Sequence, residues 1–144
     1  MAFTGNFMCT SFKVEILKAV HNFTNSTGNT FRCAMYTNSA SFTAATTAYT
    51  ATNEVTGRAY VAKGNALVNV TPTSTSTTAF TDFSDTTWSS STITARGAMI
   101  FNDTASGDPS VVILDFGSNK SSSSSDFTIV FPTDNATSAI IRIA

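Results

Sequence analysis

From Thr30 to the C-terminus the chain runs in short segments rich in Thr, Ile, Val, Phe and Tyr whose side chains alternate in character, broken by clusters of Gly, Asn, Asp and Ser. Successive side chains of a strand point to opposite faces, so a period of two commits most of the chain to β-structure. Residues 30–36 set Phe31, Cys33 and Met35 against Arg32, Ala34 and Tyr36. Residues 58–62 and 66–70 flank Lys63-Gly64-Asn65, three residues with a central glycine, and read as a hairpin. Residues 77–83 read as a strand, and 91–101 as a longer one interrupted by Gly97, where a bulge or a close backbone contact is expected. Residues 111–116 hold no polar side chain before Asp115, the pattern of a strand covered on both faces. Residues 126–132 and 138–143 supply the last two strands, and Pro132 ends the first because it has no N–H to give a ladder.

Residues 11–23, SFKVEILKAVHNF, are the exception. Phe12, Ile16, Leu17, Val20 and Phe23 fall on one helical stripe, Lys13, Glu15 and Lys18 on the other side, and Thr10 or Ser11 can cap the start. The TNSTGN stretch, residues 24–29, then ends the helix and turns the chain. Two stretches carry no strand pattern. Residues 118–126, SNKSSSSSD, have nothing to bury and read as a flexible surface loop. Residues 38–53, small and hydroxyl-rich, read as an arm or loop draped over the surface. No repeat with a period of 20 to 50 residues is visible, which sets solenoids and propellers aside. The expected fold is all-β: an antiparallel β-sandwich or jelly roll of seven to nine strands with one N-terminal amphipathic helix. Residues 11–144 form its single domain and residues 1–10 an N-terminal arm.

At 144 residues the chain has one domain's worth of polymer. A domain of that size buries roughly 68 to 70% of its unfolded surface and needs no staples. Charged residues are 12% of the chain and the formal net charge is -1. Lys13, Lys18, Arg32, Arg58, Lys63, Arg96, Lys120 and Arg142 are scattered singly, so the clustered cations of a nucleic-acid binder are missing. Hydroxyls take the place of charge, with 26 Thr and 19 Ser. No apolar run approaches the roughly 18 to 20 residues of a membrane span. The opening MAFTGNFMCT lacks the basic and apolar regions of a secretory leader, so synthesis is expected to end in a cytoplasm. There Cys9 and Cys33 are expected as thiols, with Cys33 a small buried apolar residue on its strand. Asn-x-Ser/Thr triplets at Asn22, Asn25, Asn69, Asn102, Asn119 and Asn135 are what so much Ser and Thr produces by chance.

Few side chains suggest chemistry. His21 is the single histidine, late in the helix, and no His/Cys pair stands at zinc-ligand spacing; a satisfied surface residue at the helix end is the expectation. Asp82 and Asp85 bracket Phe83-Ser84 and could hold calcium, with Asp115 a further candidate ligand; as turn caps they would accept backbone N–H groups instead, which is the simpler reading. Trp88, the one tryptophan, lies among hydroxyls. It could stack on a sugar if exposed, or sit in the core with its indole N–H on a loop carbonyl. No G-x-S-x-G, P-loop or G-x-G-x-x-G motif occurs, and no catalytic, cofactor or metal site is assigned. Phe3, Phe7 and Phe12 crowd the first dozen residues, so the arm either docks on a neighbouring subunit or folds back on its own sheet.

Three segments carry a family likeness. TTAYTATNEVTGRAYVAKGNALVNVTPT (46–73), TTWSSSTITARGAMIFN (86–102) and DFTIVFPTDNATSAIIRIA (126–144) resemble a family of small proteins of tailed bacteriophages, over nearly the whole chain. The Tyr-Thr-x-Thr-Asn-Glu-Val-x-Gly element at residues 49–57 is the most specific block, while Arg58 and Lys63 depart from the smaller residues expected there. The resemblance implies a virion structural component and carries over no site. It leads to an expected capsid decoration or cement protein, assembled in the host cytoplasm and residing in the virion. The major capsid protein or another virion protein would be its partner, and the chain itself a homo-oligomer, a trimer by analogy with threefold decoration sites, with the arm reaching a partner subunit or the shell. Alternatives are a tail, fibre or head-tail adaptor component, or a carbohydrate- or receptor-binding module using Trp88 and the loop aspartates.

Overall fold

The computed structural model describes residues 3–144. Among them β1 (Phe7–Met8), β2 (Phe31–Tyr36), β3 (Asn65–Ala66), β4 (Asn69–Thr75), β5 (Thr78–Phe83), β6 (Thr86–Asn102), β7 (Ser110–Ile129) and β8 (Ile141–Ile143) build two antiparallel sheets, with one short helix α1 (Thr10–Leu17). The larger sheet runs β1-β7-β6-β2-β3 and the smaller β4-β5-β8. The fold is all-β with a single helix.

The long β6–β7 hairpin is its backbone. The second half of β6 lies between β7 and β2, and Ala95 to Asn102 are all buried, on both faces of the sheet. At Gly97 both expected features occur: the register with β7 shifts between Ala95 and Gly97, and a Cβ there would overlap the Phe3 ring and the Leu114 carbonyl. Near the other end of β6 the register shifts between Trp88 and Ser91, with Ser90 at φ 51°, so two exposed serines follow one another and Ser91, Ile93 and Ala95 return to the buried side with Trp88.

Residues 118–126 are not a loop: they are strand, the middle of β7, paired with β6 from Ala95↔Lys120 to Ser91↔Ser125. Hydroxyls do there what apolar side chains do elsewhere. The Ser91 and Ser122 hydroxyls, both buried, bond each other at 2.7 Å; Thr94 and Ser121 pair at 2.8 Å; the Ser124 N–H donates to Thr92 Oγ1. Cross-strand hydroxyl pairs stabilise a ladder while leaving no hydrophobic alternation to read.

The helix stops at Leu17 rather than continuing to Phe23. Ala19 takes φ 57°, its N–H donates to Ile16 O and the Val20 N–H to Glu15 O, the paired bonds of a Schellman ending without its usual glycine. Leu17, expected inside, is 88% exposed; Phe12 is the side chain α1 buries completely. Cys9 precedes the first turn without a side-chain cap, and the Thr10 N–H is satisfied by Ala44 O.

The expected hairpin around Gly64 does not form. Ala59, Lys63 and Gly64 all have positive φ, so residues 58–64 wind through turns; Asn65–Ala66 pairs with β2, and the chain then crosses to the smaller sheet. Residues 38–53 are irregular as read, but they bury Ala40 and Phe42 and bridge Ala48 to Pro109. Past the described start, Phe3 is 1% exposed, edge-on to Phe42, and β1 pairs with Val112 and Ile113: these residues of the arm fold back on their own sheet, and Met1 and Ala2 lie outside the described residues. At the other end β7 runs on to Ile129, and the final strand is the short Ile141–Ile143. Between the sheets Phe23 and Phe31 stack at 4.3 Å, and both rings reach Phe83, which meets Phe131 at 5.7 Å.

Candidate functional site

The 49–57 element singled out in the sequence folds around one carboxylate. Tyr36 bridges to Glu54, and the Val55 N–H donates to Met35 O, so this irregular segment runs beside β2. The Glu54 side chain accepts three donors: the Tyr49 hydroxyl at 2.6 Å, the Tyr60 hydroxyl at 2.7 Å and the Lys63 N–H at 2.7 Å. Tyr60 also accepts the Met35 N–H at 2.9 Å, so its hydroxyl ties the hub to β2, and Tyr36 donates to Thr50 O at 2.7 Å. Burial first, and then the hydrogen bond to Glu54, pushes Tyr49 up to about 12 and raises Tyr60 further; both phenols stay protonated donors.

Lys63 extends the hub to the β6–β7 connection. Its ammonium sits 2.8 Å from both Asp103 and Asp108, which raise it to about 12, and 5.7 Å and 5.8 Å from the Tyr49 and Phe101 rings, themselves stacked at 4.7 Å. Gly64 passes so close to Cys33 that a Cβ would overlap that residue's carbonyl, and the Gly64 O accepts from Arg32 at 2.7 Å. Lys63 therefore joins two connections. Arg58 contributes a bridge to Thr92. Glu54 lies inside the 49–57 block, but nothing in the sequence marked it as the centre of a hydrogen-bonded hub.

No family model, curated protein or solved structure matches this chain.

The other candidate residues lie apart from this hub. Asp82 accepts the Phe83 and Ile140 N–H groups, and Asp85 accepts the Phe131 N–H, so both hold backbone, as turn caps would. Burial raises the Asp82 pKa against these two bonds. Asp115 lies against the N-terminal segment: its carboxylate takes Gly5 N–H, Gly117 N–H and the Arg96 guanidinium, and its own N–H donates to Asn6 Oδ1. Burial opposes its charge, but the Gly117, Arg96 and Gly5 donors outweigh that and hold its pKa below the usual carboxylate range. Among the described residues no three His, Cys, Asp or Glu side chains gather as a metal site.

Trp88 is a core residue, 2% exposed between Tyr60 and Phe127, and its indole N–H finds no carbonyl, contrary to the expected loop partner. It offers no face to a sugar. Cys33 is buried and pushed up to about 12; burial also raises Cys9, against a bond from Ser110, so both thiols are inert. Of the Asn-x-Ser/Thr triplets, Asn69 and Asn102 are buried. His21 is not a surface residue: its side chain has no exposed area and bonds Glu15 and Asn102. A hollow of about 510 Å³ beside β1 and β7 is lined largely by apolar side chains such as Met8, Leu114 and Ile140, and Asp115 on its rim is committed to the N-terminal segment. Glu54, Asp82, Asp85 and Asp115 thus work as internal acceptors that pin irregular segments to the sheets.

Proposed function

We propose that this chain is a non-enzymatic structural protein of a tailed-bacteriophage virion, a capsid decoration or cement protein that binds the outside of the head as a homo-oligomer, a trimer at threefold positions. The major capsid protein is its partner, and it uses no cofactor, nucleic acid or membrane. It is made and assembled in the host cytoplasm and resides in the virion.

The observation that carries this reading is the outer face of the β6–β7 hairpin. Thr87, Thr92 and Thr94 of β6 and Ser121 and Thr128 of β7 are all exposed. Thr87 bonds Thr128 at 2.8 Å across the strands, as Thr94 bonds Ser121, so these side chains are ordered before any partner arrives. A pre-ordered hydroxyl face, with Asp126 beside Thr128, meets a shell with little side-chain entropy left to lose and little charge to desolvate. The likeness of residues 46–73, 86–102 and 126–144 to small phage proteins supports the virion setting, and closed symmetry would let each copy use the same face. A sugar-binding module is the weaker reading because Trp88 is buried.

The test is addition of purified protein to heads that lack it, followed by the temperature at which they release their genome. Cement activity predicts saturable binding and a higher release temperature. Absence of binding to heads, or binding to tails alone, overturns the proposal.

A further inference from the structure

His21 lies where three separate pieces of chain meet, and its protonation state follows from the groups around it. Asn102 Oδ1 accepts the Thr104 and Ala105 N–H groups at 3.0 and 3.1 Å, which fixes that amide with Nδ2 toward His21. The two Nδ2 hydrogens go to His21 Nδ1 at 3.1 Å and to Asn29 Oδ1 at 3.0 Å. Nδ1 therefore accepts, the ring proton is on Nε2, and Nε2 donates to Glu15 at 2.8 Å. Asn29 Oδ1 also accepts the Asn22 N–H at 2.8 Å, and the Asn29 N–H returns to Asn22 O at 2.7 Å. Through one imidazole, α1, the 22–29 turn and the end of β6 are joined.

We propose that His21 is an acid-sensitive joint: a proton on Nδ1 sets two donors against each other and parts the ring from Asn102, while Glu15 keeps its hold. Glu15, from α1, is the charged group in contact with the ring. The neighbouring Asp103, just past β6 in the β6–β7 connection, is engaged by Lys63 and faces Arg32 at 3.8 Å. Phe12, Phe23 and Phe31 pack around the imidazole, and the wall from β5 and β8, which includes Phe80, Thr81, Ile141 and Ile143, presents no titratable group. Asn102 cannot turn its oxygen to the new N–H without abandoning two backbone donors, so the break falls between His21 and Asn102. Acid then uncouples the helix from the end of β6, while Asn102 keeps its bond to Asn29 of the 22–29 turn.

Long-range proton–nitrogen NMR of the unmodified protein at neutral pH reads the tautomer, and a titration over the interval of about pH 5 to 8 in which imidazoles change charge reads the coupling. The expected result is a proton on Nε2 and none on Nδ1, with the Asn102 side-chain amide and the Asn22 and Thr104 backbone amides shifting at the midpoint of the His21 ring. His21→Gln should abolish that shared midpoint. A proton on Nδ1 at neutral pH, or amides that stay still while the ring titrates, overturns the proposal without need of the variant.

Discussion

Ala19 stands where helices ordinarily place glycine, at φ 57° in the Schellman ending of α1. A Cβ in that region costs roughly 1 to 2 kcal/mol, and glycine returns part of the gain through a freer unfolded chain. Ala19→Gly should therefore raise stability by about 0.5 to 1 kcal/mol in urea unfolding; a loss would contradict the capping geometry. At Glu54, alanine strands two phenols and the Lys63 N–H, each orphaned donor costing about 1 to 3 kcal/mol, whereas glutamine keeps an acceptor for part of the set. Glu54→Ala should thus cost about 3 kcal/mol or more and Glu54→Gln clearly less. Asp115 supplies a pH dependence with a defined sign. Its folded pKa lies below the unfolded value, so its contribution is complete above about pH 4 and is lost as pH falls through the folded pKa. Thermal melts of the wild type and Asp115→Asn should differ at pH 7 and converge as the pH falls below the folded pKa of Asp115; a constant gap would remove the Asp115 clamp from the account.

The strands that announced themselves were those whose alternation is hydrophobic, such as Phe31–Tyr36 and the end of β6. The middle of β7 was illegible for a physical reason: its ladder is cemented by hydroxyl pairs, and SSSSS has the composition of a linker whether or not it is paired. Hydrogen exchange separates the two states. Amides of residues 120–125 that face β6 should be protected well beyond those of a flexible loop, and exchange at unstructured rates across the segment would sink the strand assignment. The false hairpin around Gly64 has the same kind of cause. The glycine is real punctuation, but it serves a close approach to Cys33, and Glu54, nine positions or fewer from every donor it takes, decides how the chain winds. The Glu54 hub was visible as a motif and not as a geometry, because its three donors converge only when Ala59 and Lys63 adopt positive φ.

At the scale of the molecule, two sheets enclose a core of phenylalanine rings, with Phe7 and Phe116 half-buried against it and Phe80 buried outside it. Far-UV circular dichroism should show a strand-dominated spectrum with helix well under a third, given the eight residues of α1. Polar clamps at Glu54, Asp115 and His21 hold the irregular connections to this core, leaving the ordered hydroxyl face of β6 and β7 toward solvent. That combination suits the proposed cement role, and a search for the chain in a phage particle is its direct measurement. A cryo-electron microscopy reconstruction should place the two-sheet domain on the outer surface of the head around threefold positions, with β6 and β7 toward the shell. Density for this chain in the tail, or a particle without it, would contradict the cement-protein account.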